Sequence, residues 1–267
     1  MFYQAKNGKI PIAGTEMDYI AFGTGSRHMI MLPGLGEGLQ TIGGTAIPFA
    51  VMYRMYAKKF RVTVFGRRKV LPKTFSTRDM AQDLHFAIQH LGIEKASIVG
   101  ISMGGMIAQW LAIDHPEVVE KLALVVTAPE PNDTLTGCVT RWIGMAEKGD
   151  HKALMLDTAV KMYSDAYMRK NRWMFGILGN VGRPKSYDRF FTMANACLTH
   201  DAYAALETVT APTLVIGGKR DLTLTGEASE KIAREIPGAQ LYLYDDYGHA
   251  LYEEAGDFND RLLRFLD

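Results

Sequence analysis

Short runs of aliphatic and β-branched residues alternate along the first half of the chain with segments whose apolar residues recur at helical spacing. Strands joined by helical crossovers produce this alternation, so the sequence predicts an α/β fold with a mostly parallel twisted sheet flanked by helices. The predicted strands are residues 16–22, 28–32, 61–65, 96–101, 121–127, 212–216 and 240–244. The predicted helices in this pattern are residues 77–91, 103–115, 226–236 and 258–266.

The alternation stops between residues 129 and 209, where strand-like runs disappear and helical periodicity continues. Prolines punctuate both edges, in Pro129-Glu130-Pro131 and in Ala211-Pro212, and such segments rarely continue a helix. The pattern predicts one core domain made of residues 1–128 and 210–267. Residues 129–209 are predicted to form a helical insertion before the penultimate strand.

Charge and composition exclude several classes of protein. Lys and Arg number 30 against 29 Asp and Glu, a balance that argues against a nucleic-acid partner. Cys138 and Cys197 have no C-x-x-C neighbour, which fits a reducing compartment. No apolar run is long enough for a signal peptide or a membrane span, so we expect a cytoplasmic protein that does not bind membranes. A homo-oligomer stays open.

The motif G-x-S-x-G at Gly100-Ile101-Ser102-Met103-Gly104 lies where a predicted buried strand turns into a predicted helix. A serine on so sharp a turn needs neighbours without side chains, and glycines stand two residues away on both sides. The helix N-terminus after Ser102 would face a developing anion. The alternative is that Ser102 only caps the helix.

In these features the chain resembles the α/β-hydrolase fold family over nearly its whole length. That family carries a serine nucleophile, an acid and a histidine in this chain order. The resemblance implies Ser102 as nucleophile, Asp221 after strand 212–216 as the acid, and His249 after the last strand as the base. Glu130, which follows the preceding strand, is the reserve candidate for the acid.

The resemblance also implies an oxyanion hole formed by the backbone N–H groups of Leu35 and Met103. Pro33-Gly34-Leu35 matches the family's His-Gly-x turn, but proline replaces histidine and leaves the bracing of the turn in question. Residues 65–69 depart from the family's Asp-x-Arg-Gly turn. They are predicted to form a solvated basic turn.

Cofactor and metal motifs are missing from the sequence. Residues 34–39 lack the third glycine of a dinucleotide-binding loop, and no G-K-[ST] sequence marks a phosphate loop. No histidines and carboxylates stand at a metal-binding spacing such as H-E-x-x-H. We therefore expect a hydrolase that needs neither a cofactor nor a metal ion.

The expected reaction is hydrolysis of a small or medium carboxylic ester, lactone or thioester through an acyl-enzyme. Carbon–carbon bond hydrolysis, peptide hydrolysis, perhydrolysis and slow-turnover ligand binding stay open, because the fold does not choose among them. The insertion resembles the helical cap of many family members, and most of its methionines and aromatic residues are predicted to form the core of that cap. The others are predicted to contact a small-molecule substrate with an apolar part. These residues are Met145, Met155, Met162, Met168, Met174, Met193, Trp142, Trp173, Tyr163, Tyr167, Phe175, Phe190 and Phe191. The basic residues of the insertion are predicted to be solvated, and the alternative is that a buried one binds a substrate carboxylate. They are Arg169, Lys170, Arg172, Arg183, Lys185 and Arg189.

Overall fold

A computed structural model of the protein describes residues 3–171 and 182–267. Eight strands form one sheet in the order β1-β2-β4-β3-β5-β6-β7-β8. β1 pairs antiparallel with β2 and β2 with β4, whereas every pairing from β4 to β8 is parallel. The mostly parallel sheet is therefore confirmed. The strands are β1 (Lys6–Ile12), β2 (Thr15–Phe22), β3 (Arg27–Leu32), β4 (Phe60–Arg68), β5 (Ala96–Ile101), β6 (Val119–Val125), β7 (Thr213–Gly218) and β8 (Gln240–Tyr244).

The first strand is absent from the sequence prediction. It contains Gly8 and Pro11, and only Ile10 and Ile12 are buried, so it lacks an apolar run. A tight turn through Ala13 and Gly14, both with positive φ, joins it to β2. An edge strand tolerates such a composition because it has a neighbour on one side only.

Helices cover both faces of the sheet because successive side chains of a strand point to opposite faces. In β5, Ile98 faces the core formed with α3 and α4, whereas Val99 faces the core formed with α1, α2 and α11. The helices that the structure describes are α1 (Ala46–Met52), α2 (Arg54–Ala57), α3 (Thr77–His90), α4 (Met103–Asp114), α5 (Asp133–Glu147), α6 (His151–Met162), α7 (Asp165–Lys170), α8 (Asp188–Leu198), α9 (Gly226–Glu235), α10 (Leu251–Glu254) and α11 (Phe258–Leu266). None of these helices is long and apolar enough to cross a membrane.

Helices α5 to α8 are inserted between β6 and β7, as predicted. The side chains of Asn132, Asp150 and Ser164 accept hydrogen bonds from backbone N–H groups and cap α5, α6 and α7. The boundaries at residues 129 and 209 stay a prediction. Arg172, Trp173, Met174 and Phe175 lie outside the described residues.

The prediction of a solvated basic turn at residues 65–69 is wrong for two of its three cations. Strand β4 continues to Arg68, and the Arg67 side chain is buried. Arg68 forms two hydrogen bonds of 2.6 and 2.7 Å with the Asp83 carboxylate of α3. Only Lys69 stays largely exposed, beside Glu16 at 3.1 Å. The sequence pattern did not reveal that Arg68 would meet the Asp83 carboxylate or that Arg67 would be buried.

Candidate active site

Ser102 lies between β5 and α4 in a strained backbone conformation, with φ at 54° and ψ at −123°. A Cβ on Gly100 would lie 2.6 Å from the Gly104 carbonyl oxygen. A Cβ on Gly104 would lie 2.1 Å from the Leu32 carbonyl oxygen. Only glycine fits at these two positions, so strand, turn and helix are arranged as the motif predicts.

The structure brings Ser102, His249 and Asp221 together in one line. His249 Nε2 lies 3.0 Å from Ser102 Oγ, and His249 Nδ1 lies 2.8 Å from Asp221 Oδ2. A carboxylate only accepts hydrogen bonds, so the Nδ1–H donates to Asp221 and the unprotonated Nε2 accepts from the Ser102 hydroxyl. This tautomer is the one in which histidine can take a proton from serine.

The Asp221 carboxylate is held by its own loop. Its Oδ1 accepts hydrogen bonds from the backbone N–H groups of Thr223 at 2.7 Å and Leu224 at 2.9 Å. Its side chain is 2% exposed, and that of His249 is 5% exposed. Because the carboxylate cannot rotate without losing these bonds, Oδ2 stays directed at the imidazole.

The parallel sheet explains why residues so far apart in sequence meet. Ser102, Asp221 and His249 follow β5, β7 and β8, and the carboxyl ends of parallel strands share one edge of the sheet. The loops after β7 and β8 also touch. A Cβ on Gly218 would lie 2.4 Å from the Tyr247 carbonyl oxygen, and the Arg220 N–H donates to that oxygen at 3.2 Å.

Residues 33–38, which we call the Gly34 loop, pass directly over Ser102. A Cβ on Gly34 would lie 3.2 Å from Ser102 Cβ and 3.7 Å from its Oγ. Leu35 begins a short 3-10 helix and Met103 begins α4. The first N–H groups of a helix have no partner within it. Both predicted oxyanion donors thus stand at helix starts beside the serine.

A buried arginine braces the Gly34 loop in the absence of the histidine that Pro33 replaces. Arg67 donates a hydrogen bond from Nη2 to the Pro33 carbonyl oxygen at 2.6 Å. Burial lowers the pKa of the Arg67 guanidinium to about 10, so it remains charged at neutral pH. The sequence alone does not predict this contact, because Pro33 follows β3 whereas Arg67 lies near the end of β4.

Arg189 of α8 reaches the other side of the Gly34 loop, so the prediction that it is solvated is wrong. Its guanidinium donates to the backbone oxygen and to the carboxylate of Glu37. It also donates to the carbonyl oxygens of Arg67 at 3.2 Å and Arg68 at 3.3 Å. Burial raises the pKa of Glu37, and the nearby Arg189 and Arg67 oppose that shift. The only sequence signal for Glu37 was its position two residues after Leu35.

A cavity of ≈ 470 Å³ opens beside Ser102 and His249. Its lining is mainly apolar and includes side chains of both the sheet edge and the insertion. Among the predicted insertion residues, Trp142, Met162 and Phe190 line it, whereas Met193 is fully buried in the core. Among the described lining residues, the side chains that can gain or lose a proton are Glu37, Cys197, His249 and Tyr252.

Two other groups of titratable residues do not belong to this site. Glu130, the reserve acid, forms an ion pair with Lys231. His85, His115 and Glu117 form a cluster whose nitrogen and oxygen atoms lie within 4.8 Å of one another. The two imidazoles stack with centroids 3.6 Å apart and planes 9° apart. The nitrogen lone pairs of the two stacked imidazoles lie in parallel planes, so they do not point toward one metal ion.

Comparisons with known proteins agree with this architecture. Residues 28–256 match the model of a family described as the alpha/beta hydrolase fold. A protein of Caulobacter segnis named "Putative carbamate hydrolase RutD" is 26% identical over 236 residues, covering 85% of this chain and 88% of that protein. A "2-hydroxy-6-oxononadienedioate/2-hydroxy-6-oxononatrienedioate hydrolase" of Pseudomonas sp. is 28% identical over 210 residues, covering 75% of this chain and 74% of that protein.

The crystal structure of MGS-M2, an alpha/beta hydrolase enzyme from a deep-sea metagenome library, superimposes with a TM-score of 0.86. The two proteins are 21% identical, and the match covers 97% of this chain and 96% of that one. The sheet order, the serine turn after β5, the helices between β6 and β7 and the family match over most of the chain lead to one conclusion. This protein belongs to the α/β-hydrolase fold family and is a hydrolase.

Proposed function

We propose that this protein hydrolyses neutral carboxylic esters of small or medium size, including lactones and thioesters, through Ser102, His249 and Asp221. The observation that carries the proposal is His249, which hydrogen-bonds both the Ser102 hydroxyl and the Asp221 carboxylate at the edge of an apolar cavity. A nucleophile, a base within hydrogen-bonding distance and a third group that orients the base form the usual acyl-transfer arrangement.

The geometry supports a two-step reaction. Ser102 Oγ bonds to the carbonyl carbon while its proton passes to His249 Nε2, and the N–H groups of Leu35 and Met103 stabilise the oxyanion. The tetrahedral intermediate then expels the alcohol, which takes the proton from His249. Water attacks the acyl-enzyme by the same route, and its proton passes through His249 back to Ser102 as the acid leaves.

The lining of the cavity favours an uncharged substrate. Side chains such as Ile42, Phe49, Val139 and Leu154 surround the space, and no Lys or Arg occurs among its lining residues in the described part of the chain. Glu37 is already paired with Arg189. A substrate carboxylate would therefore lose its hydration without gaining a partner, which is costly.

We expect a pair of aryl esters with equal chain length to reveal this preference. The p-nitrophenyl ester of butyric acid should be hydrolysed with a kcat/KM at least about tenfold above that of the p-nitrophenyl monoester of succinic acid, because only the second carries a charge into the cavity. Steady-state release of p-nitrophenol at neutral pH measures both, after subtraction of the release without enzyme. That subtraction is needed because the carboxylate of the succinate monoester attacks its own ester group. Equal values, or a preference for the succinate ester, would contradict the neutral-substrate proposal.

A neutral aryl carbamate belongs in the same series, because the name of the Caulobacter relative specifies a carbamate.

Labelling with a fluorophosphonate probe tests the nucleophile directly. We expect one adduct, mapped by mass spectrometry to the peptide that contains Ser102, because His249 activates that hydroxyl. Ser26 is exposed and has no such base, so a Ser26→Ala variant should label like the unmodified protein. An adduct at another serine, or none on folded protein that hydrolyses esters, would overturn the assignment of Ser102.

A slow-turnover binding protein on the same residues would behave differently in the aryl ester assay. It would release one equivalent of p-nitrophenol in a burst and then almost stop, because the acyl-enzyme would persist. We expect sustained turnover instead, since the cavity beside Ser102 leaves space for a water molecule to approach the acyl carbon.

A further inference from the structure

A buried cluster of three charged side chains joins the insertion to the Gly34 loop. It consists of Arg67 from β4, Glu37 from the loop itself and Arg189 from α8. The side chains of Glu37 and Arg189 are 1% and 12% exposed, and Arg67 is 4% exposed as a residue. Burying three charges is expensive, so the arrangement calls for an explanation beyond packing.

The cluster holds the Gly34 loop from two sides. Arg67 binds the Pro33 carbonyl oxygen before Leu35, and Arg189 binds the Glu37 carbonyl oxygen after it. In the chain, Leu35 stands between these two anchored residues. Neither arginine lines the cavity. Their guanidiniums therefore act on the loop and not on a bound substrate.

Backbone contacts add to this hold. A Cβ on Gly38 would lie 3.0 Å from Phe190 Cα, so α8 rests directly on the end of the loop. A Cβ on Gly66 would lie 2.7 Å from Glu37 Oε1, so strand β4 leaves space for the carboxylate only because residue 66 is glycine. The loop is thus clamped between α8 of the insertion and β4 of the sheet.

We infer that Arg189 is a positioning residue that sets the oxyanion-binding geometry of the Gly34 loop, so that the seating of α8 controls the rate of acyl transfer. The inference rests on the proposed function, since it assigns a role in the same reaction. It makes the insertion part of the machinery for transition-state stabilisation and not merely a cover over the cavity. A backbone donor must meet the oxyanion within a few tenths of an ångström, and such preorganisation requires rigid support.

Charge balance identifies the variant to test. The unmodified protein buries two guanidiniums with one carboxylate, and only the Arg189 guanidinium is in direct contact with that carboxylate. Glu37→Gln would leave two buried cations without an anion, a change expected to disrupt folding. Arg189→Gln leaves Glu37 beside Arg67, whose charges compensate each other, so the fold is expected to survive. Lys185→Gln removes a charge from an exposed position of the same insertion and is the matched control.

The experiment compares these two variants with the unmodified protein on the butyrate ester, with kcat expressed per site titrated by the fluorophosphonate probe. For Arg189→Gln we expect kcat per site to fall about 10- to 100-fold, with KM within about threefold of the unmodified value. Affinity for a trifluoromethyl ketone, which forms an oxyanion with Ser102, should fall by the same factor. Affinity for the neutral alcohol butanol should stay unchanged, and Lys185→Gln should match the unmodified protein throughout.

A different pattern would overturn the inference. Normal kcat per titrated site with fewer active sites would show a purely structural role, and a change confined to KM would show a role in substrate binding. Amide hydrogen exchange of residues 34–38 is the readout that does not need activity, and we expect faster exchange in Arg189→Gln. If the unmodified protein neither labels nor turns over, the proposed function fails. An unchanged rate of amide hydrogen exchange in Arg189→Gln would separately refute the role of Arg189 in holding the Gly34 loop.

Discussion

Replacing Ser102 by alanine is expected to lower kcat for ester hydrolysis by about five to six orders of magnitude. The variant keeps His249, Asp221 and both backbone donors, but it has no atom that can bond to the carbonyl carbon. Alanine differs from serine only by the hydroxyl, so the strained turn at φ 54° is equally adoptable and the free energy of unfolding should change by less than about 1 kcal/mol. Single-turnover kinetics and urea denaturation measure the two quantities.

Ser26→Ala is the matched control for this substitution, since Ser26 is exposed and does not line the cavity. It should retain full activity. A kcat of Ser102→Ala above about one thousandth of the unmodified value would show that the nucleophile lies elsewhere. Mass mapping excludes contamination of the variant by unmodified protein. Retained affinity of Ser102→Ala for ester substrates would be expected, because the cavity itself is unchanged.

Asp221→Asn is expected to lower kcat/KM by about four orders of magnitude, through the tautomer of His249. In the native site one carboxylate oxygen accepts from Thr223 and Leu224 and the other from His249 Nδ1. An asparagine would place its carbonyl oxygen toward the two backbone N–H groups and its NH₂ toward the imidazole. The proton would then move to Nε2, which could no longer accept from Ser102. The pH–rate profile and kcat/KM on the butyrate ester measure the loss.

Two control substitutions make this result specific. Asp245→Asn removes a carboxylate that is exposed and paired with Lys219 at 2.6 Å, and it should leave kcat/KM unchanged. Glu130→Gln should also be neutral, because that carboxylate pairs with Lys231. If Asp221→Asn kept more than about a tenth of the activity, Asp221 would not be the group that orients His249. Loss of activity in Glu130→Gln would then return the reserve acid to consideration.

The features that the sequence predicted well are those that depend on neighbouring residues in the chain. The turn at Ser102 follows from glycines at positions 100 and 104, because no side chain fits there against Leu32 and α4. Seven of the eight strands followed from apolar runs, and the insertion followed from the loss of those runs. The assignment of Asp221 and His249 as partners of Ser102 came from their chain order in a family that the sequence resembles. The structure places the three side chains within hydrogen-bonding distance, and their catalytic roles stay a prediction.

Edge strand β1 and the arginines had no comparable local signal. β1 is stabilised by pairing with β2 and carries only two buried side chains, so its sequence resembles that of a loop. Arg67 and Arg189 are of a residue type that is usually exposed to solvent. Arg189 is buried because Glu37, which lies 152 residues away, supplies a carboxylate and a backbone oxygen at the same place. Arg67 is buried where its guanidinium reaches the carbonyl oxygen of Pro33.

The sequence by itself determined seven strands of the sheet and the sharp turn that presents Ser102, since backbone sterics and apolar periodicity act over a few residues. It also supplied the residue types that the proposed acyl transfer needs. Only the tertiary structure decided which charges are buried, which carbonyls hold the Gly34 loop and how α8 contacts it. The physical reason is that burial of an ion is stabilised or penalised by partners that any segment of the chain can supply, and a linear pattern does not specify them.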